Sequence, residues 1–207
     1  MTIRAVYFDL GGVIVRTEFQ APRQRLADRF GMEYEDLVTL VFESQSAAKA
    51  TLGLISEDEQ WVAVTRRLNL PGSEAPSIRD EFFAGDVTDL SLLNFMRGLR
   101  KQYKVGLISN AWSGLRPWII DKKFDDAFDA MIISAEVGVM KPDPRIYQVA
   151  LEKLGVAPAE AVFLDDFPAN VTGARAVGMQ AIHFVQPEQA LDELRKLLVP
   201  EPTKDVG

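Results

Sequence analysis

An α/β fold, built on a doubly wound parallel sheet with an inserted all-helical segment, is what this 207-residue sequence predicts. Three observations carry that expectation. Short, nearly continuous apolar runs recur between helical patterns through the second half, as strands buried on both faces do. A matching run stands at the N-terminus, far from the others in sequence. Between them lies a long stretch of helical periodicity with no clear strand.

The first run, "AVYFD" from Ala5 to Asp9, is apolar until it meets a carboxylate, and Gly11 and Gly12 follow at once. From Thr17 to Gly85, segments such as "PRQRLADRFG" and "SEDEQWVAVTRRLNL" carry helical spacing, with Gly and Pro at the breaks. Then come "KVGLIS" (Lys104 to Ser109), "AMIIS" (Ala130 to Ser134), "AVFLDD" (Ala161 to Asp166) and "QAIHFV" (Gln180 to Val185). Helical stretches separate them: Ser113 to Lys123, Pro144 to Leu154 and Pro168 to Val177. Asp143 can cap the second of these, with Pro144 at its first position and Gly155 at its end. Strands alternating with helices imply right-handed crossovers and a sheet covered on both faces. The expected organisation is a core of residues 1–16 and 86–200, a helical cap of 17–85, and a frayed tail of 201–207. An insert placed directly after the first strand sits above the carboxyl ends of the strands, where open α/β sheets bind ligands.

Composition narrows the chemistry. With 47% hydrophobic and 26% charged residues the chain has ample core. A net charge of -7 argues against a general nucleic-acid binder, which needs clustered Lys and Arg. There is no cysteine and one histidine, His183, so disulfides, thiolate nucleophiles and histidine-pair metal sites fall away. His183 itself lies inside a strand and reads as a satisfied sheet residue. No apolar stretch approaches a membrane span, and no signal-peptide layout is visible, so a cytoplasmic protein is expected.

Polar residues mark the strand ends. The first strand ends at Asp9, the second at Ser109-Asn110 and the fourth at Asp165-Asp166, while Lys141 lies in the loop after the third. One acid after a strand is as readily a turn or a helix cap. Four stations on one edge of a parallel sheet can instead converge on one crevice. Their chemistry suits phosphoryl transfer. A carboxylate can attack phosphorus, a hard cation held by one or two carboxylates can offset the repulsion, and a lysine can neutralise developing charge. Asn170 is divided between helix hydrogen bonding and a site role. Asp143 reads as a helix cap. Arg16, Arg116, Trp112 and Trp118 lie near these loops and read first as packing or surface side chains, with a sugar or second anion as the alternative.

"FDLGGVIV", "LISN", "VMKPDPRIY" and "VFLDDFPANVTGA" resemble, in order and spacing, the four signature motifs of the haloacid dehalogenase-like hydrolases. The chain looks closest to small phosphatases with a helical cap after the first strand, such as bacterial sugar-phosphate phosphatases. The resemblance implies a Mg²⁺-dependent hydrolase acting on a small phosphate monoester through an aspartyl-phosphate. It implies Asp9 as nucleophile and metal ligand, with the Gly11 carbonyl as a second ligand. Ser109 and Asn110 would bind phosphate and Lys141 would stabilise the charged intermediate. Asp166 would be a direct metal ligand, and Asp165 a direct or water-bridged one. No nucleic acid or membrane partner is expected, and the oligomeric state is left open.

At Gly11 the sequence departs from the pattern. Most phosphatases of the family carry a second aspartate there, which protonates the leaving oxygen and then activates water. Three readings follow: a phosphatase that moves protons by other means, a non-catalytic phosphate- or partner-binding protein, or a 2-haloacid dehalogenase. The last lacks the acid too, but its relatives need no metal and usually lack the acidic pair seen in "LDDF".

Overall fold

The structure, a computed structural model, describes residues 2–198. The expected tail of residues 201–207 lies outside the described residues. Strand β1 is Ala5–Phe8, β2 Val15–Thr17, β3 Asp86–Thr88, β4 Lys104–Ser109, β5 Ala130–Ile133, β6 Ala161–Asp165 and β7 Gln180–His183. The helices are α1 (Ala21–Arg29), α2 (Tyr34–Phe42), α3 (Gln45–Thr51), α4 (Glu57–Arg67), α5 (Ala75–Phe83), α6 (Leu90–Leu99), α7 (Leu115–Asp121), α8 (Ser134–Val137), α9 (Pro144–Leu154), α10 (Pro168–Ala176) and α11 (Pro187–Leu198). No helix among the described residues is long and apolar enough to cross a membrane.

Five strands form a parallel sheet in the order β5-β4-β1-β6-β7. The chain winds outward from β1 through β4 to β5, then crosses back to β6 and β7. The direction of winding therefore reverses between β1 and β6, and their carboxyl ends flank the switch point where such sheets bind ligands. Alternation along β1 explains why it occupies the centre. Val6 and Phe8 join a cluster with Leu92, Met96, Ile119 and Leu194 on one face. Ala5 and Tyr7 face the other way, into a cluster with Ile146, Leu151 and Val171. All four β1 residues are buried, so period-two alternation here serves two apolar layers at once.

Punctuation at α9 follows the expected chemistry. The Asp143 carboxylate accepts from the Arg145 backbone N–H at 2.9 Å, Pro144 opens the helix, and Gly155 ends it at φ 64°. Helix α7 is shorter than its apolar pattern suggested, and the expected strand 180–185 ends at His183. Helices α6, α8 and α11 add to the three expected in this half.

The segment from Thr17 to Gly85 is helical as expected, and a short pair of strands that the sequence did not show borders it. Val15–Thr17 pairs antiparallel with Asp86–Thr88, forming a ribbon where the chain leaves and re-enters the main sheet. Three residues on either side of a helical insert are too short to show an alternation, so only their pairing defines them. Arg23 fastens this ribbon to the helices. Its guanidinium meets Asp86 at 2.8 Å and lies 4.2 Å from the Phe82 ring centroid. The five inserted helices close around their own apolar cluster, which includes Leu26, Leu37, Trp61, Ile78 and Phe82.

Candidate active site

Four loops at the carboxyl edge of the sheet bring the polar stations together. The Asp9 N–H donates to the Leu164 carbonyl at 2.9 Å, which sets Asp9 beside the end of β6. Lys141 reaches in from the loop between α8 and α9. Its Nζ lies 2.8 Å from Asp9 Oδ2 and 2.6 Å from Asp165 Oδ2. Only 1% of this lysine is exposed, and its ammonium sits 5.2 Å from the Phe163 ring centroid. A buried ammonium needs such partners to offset its desolvation.

The two adjacent aspartates have different surroundings. Asp165 is fully buried and accepts four times: from Lys141, from the Phe167 N–H at 2.7 Å, and from Asn170 Nδ2 at 3.0 and 3.1 Å to its two oxygens. About four lone-pair positions are all that a carboxylate has. Asp165 is therefore occupied in orienting Lys141 and Asn170. Asp166 is half-buried, with its carboxylate packed against Gly12. A Cβ at Gly12 would collide with Asp166, and Gly12 has φ 74°, so glycine is required there twice over.

Asp9, Asp165 and Asp166 each place an oxygen within 4.8 Å of the others. Three carboxylates against one ammonium leave two negative charges, the deficit a divalent cation would fill. Burial pushes the Asp9 carboxyl from the ordinary 3.8 up to about 7; Lys141 opposes this and Asp165 reinforces it. Burial and the neighbouring Asp165 charge raise Asp166 as well. The sign matters for stability. Between pH 4 and pH 7 folded Asp9 holds a proton that the unfolded chain has released. Asp9 therefore costs the metal-free fold stability as pH rises through that window.

The other expected residues divide. Ser109 lies buried at the end of β4, two residues beyond Leu107, the register partner of Phe8 next to Asp9. Asn110 acts as a strut: its Nδ2 donates to the Lys141 carbonyl at 2.9 Å, and its Oδ1 accepts from the Lys141 N–H at 2.7 Å. Gly11 is exposed, its φ is not left-handed, and a side chain there would meet nothing within 4 Å. Asn170 belongs to the site through Asp165; its placement in the first turn of the helix after β6 was the available signal. Arg16 pairs with Asp89 at 2.9 Å, Arg116 with Glu136 at 2.6 Å, and Trp118 stacks edge-on against Phe124. Trp112 packs into the helical cluster. His183 Nε2 lies 3.0 Å from the Asp166 carbonyl, outside the carboxylate cluster.

Comparison with known proteins places the chain in a family. The model of the haloacid dehalogenase-like hydrolases matches residues 3–178, and the chain belongs to that family. It is 30% identical over 206 residues to D-ribitol-5-phosphate phosphatase of Bacteroides thetaiotaomicron, covering 95% of this chain and 98% of that protein. It spans 7% of the length of mouse acyl-CoA dehydrogenase family member 10, to which it is 44% identical over 71 residues, 34% of this chain. It spans 39% of mouse bifunctional epoxide hydrolase 2, at 46% identity over 221 residues and 95% of this chain. A haloacid dehalogenase-like hydrolase structure from Porphyromonas gingivalis superposes with a TM-score of 0.76 at 23% identity, over 97% of this chain and all of that one. A Bacteroides thetaiotaomicron enzyme solved with magnesium and inorganic phosphate gives 0.70 at 22% identity, over 87% and 93%.

Proposed function

We propose that this chain is a Mg²⁺-dependent phosphatase that hydrolyses a small phosphate monoester through an aspartyl-phosphate on Asp9. The observation that carries the reading is the convergence of Asp9, Lys141 and the Asp165-Asp166 pair at the reversal point of the sheet. Asp9, Asp166 and the Gly11 carbonyl would hold the metal, with Asp165 contributing through water because its lone pairs are engaged. When bound, Mg²⁺ supplies charge neutralisation between nucleophile and phosphate.

The residues then divide the work. An Asp9 oxygen forms a bond to phosphorus while the bond to the leaving oxygen breaks and that oxygen takes the electron pair. Water next attacks phosphorus, releasing phosphate and restoring Asp9. Ser109 offers its hydroxyl to phosphate oxygens, and Asn110 holds Lys141 where its ammonium serves both nucleophile and phosphate. Residues 1–16 and 86–200 would form the catalytic core, with 17–85 as a cap over the crevice. The acidic pair favours this reading over a dehalogenase, since carboxylates left short of cations suit a metal and a phosphate ester.

Phosphate release from a panel of monoesters, with and without Mg²⁺, is the direct test. D-ribitol 5-phosphate and sugar phosphates come first, because a relative of full length bears that activity in its name. Tight phosphate binding without turnover would instead favour a non-catalytic protein.

Two further outcomes are expected here. Asp166→Ala should raise the Mg²⁺ concentration for half-maximal activity by at least about tenfold, with partial rescue at excess metal. An unchanged magnesium titration would remove Asp166 from the ligand set. Mg²⁺ should also raise the melting temperature more at pH 8 than at pH 5.5, since protonated Asp9 competes with the metal. Equal shifts at both pH values would count against Asp9 as a ligand.

A further inference from the structure

The loop after β4 begins beside Ser109, and every one of its residues is held. Asn110 is fastened to the Lys141 backbone. The Ala111 N–H donates to Ser134 Oγ at 3.0 Å. From Trp112 onward the partners change, and the helical segment takes over. Trp112 leaves the core to bury its ring in the helical cluster, with centroids 5.8 and 5.9 Å from Phe42 and Trp61. Its Nε1–H donates to Thr51 Oγ1 at 3.2 Å. Ser113 Oγ accepts from the Glu57 backbone N–H at 3.1 Å. The Glu57 carboxylate rests on Gly114, where a Cβ would collide with its Oε2.

Glu57 is fixed from its own side too. The Ser56–Glu59 capping box sets the first turn of α4, so Glu57 points at the loop from a defined helix end. Burial raises its carboxyl above the ordinary range, against the pull of Arg79 and the Gly114 N–H. One turn along α4, the buried Trp61 Nε1–H meets no hydrogen-bond partner at full geometry among the described residues, and its nearness pulls the Glu57 carboxyl downward. An acid placed at such a cost touches the loop and not the carboxylate cluster.

We propose that Glu57 and Trp112 are positioning residues, through which the helical segment holds the 112–114 loop and so sets the phosphate-binding end of β4. This rests on the phosphatase reading of Ser109 and Asn110. The helical segment thereby contributes to phosphate affinity without contacting phosphate.

Glu57→Ala and Gly114→Ala break the contact from opposite sides, and Glu57→Gln retains an acceptor at the same reach. Each is compared with wild type by hydrogen exchange of residues 110–114 and by steady-state hydrolysis of p-nitrophenyl phosphate with Mg²⁺. Inorganic phosphate serves as competitive inhibitor, and its Mg²⁺-dependent binding is also followed by calorimetry. Both alanine variants should exchange faster in that loop and bind inorganic phosphate about fivefold more weakly, the scale of one lost hydrogen bond. KM should rise by a similar factor with kcat changed less, and Glu57→Gln should recover most of the loss. Faster loop exchange with unchanged phosphate affinity overturns the proposal, as does a fall in melting temperature with no change in either. Absence of turnover in wild type would sink the phosphatase reading alone, because the exchange and calorimetry still decide whether the helical segment governs phosphate binding.

Discussion

Asp9→Asn is expected to abolish Mg²⁺-dependent phosphate release, by about 10³-fold or more, as the loss of a nucleophile that works within a constellation does. The carboxamide cannot attack phosphorus. It also removes one of the two negative charges that Lys141 leaves uncompensated, which weakens the case for a divalent cation. The fold should survive, because Asp9 is held by its backbone bond to Leu164 and Lys141 keeps Asp165 at 2.6 Å. Metal-free Asp9→Asn should even melt higher than wild type at pH 8. There the wild-type carboxylate is ionised against burial and against Asp165, and the amide carries no such penalty. Phosphate assays and thermal melts on the same preparation check both parts. Substantial residual metal-dependent hydrolysis would overturn the assignment of Asp9.

Gly11→Asp is expected to act in the opposite direction. With glycine at this position, leaving groups that depart readily as anions should react far better than sugar or alkyl alkoxides, which need a proton. An aspartate there should speed alkyl-ester hydrolysis by about 10²-fold, the lower end of general acid–base catalysis, and change nitrophenyl esters much less. It should also shorten the life of the phosphoenzyme by activating water. The backbone permits the change: φ at Gly11 is not left-handed and the added Cβ meets nothing within 4 Å. One residue on, the same change would fail, since Gly12 has φ 74° and lies against Asp166. The test is rate against leaving-group pKa for both proteins, with Mg²⁺ binding confirmed first. A shallow dependence in wild type that Gly11→Asp leaves unaltered would mean that another group already moves the proton.

The sequence by itself determined the sheet and the positions along the chain where polar residues could meet. Apolar runs buried on both faces can be read locally, because each of Ala5, Val6, Tyr7 and Phe8 is apolar whichever layer it enters. A carboxylate at the end of such a run is equally visible, as at Asp9 and Asp165. Helix limits were legible where local chemistry sets them, as Asp143, Pro144 and Gly155 do for α9. The β2–β3 ribbon was not legible, since three-residue strands separated by a whole helical insert are defined only by their pairing. The family resemblance distinguished Asp166 from Asp165 in role, but the physical reason for the difference was hidden. The two are identical neighbours in sequence, and only the arrival of Lys141 and Asn170 saturates one and leaves the other. That the Asn110 carboxamide would also meet the Lys141 backbone was hidden too, because the two are 31 residues apart and only the fold brings them together. Trp112 and Glu57, 55 residues apart, acquire a common task only when the helices close over the loop after β4. Local residue chemistry can be read along a chain, whereas partner choice among distant polar groups is decided by packing, which no local pattern encodes.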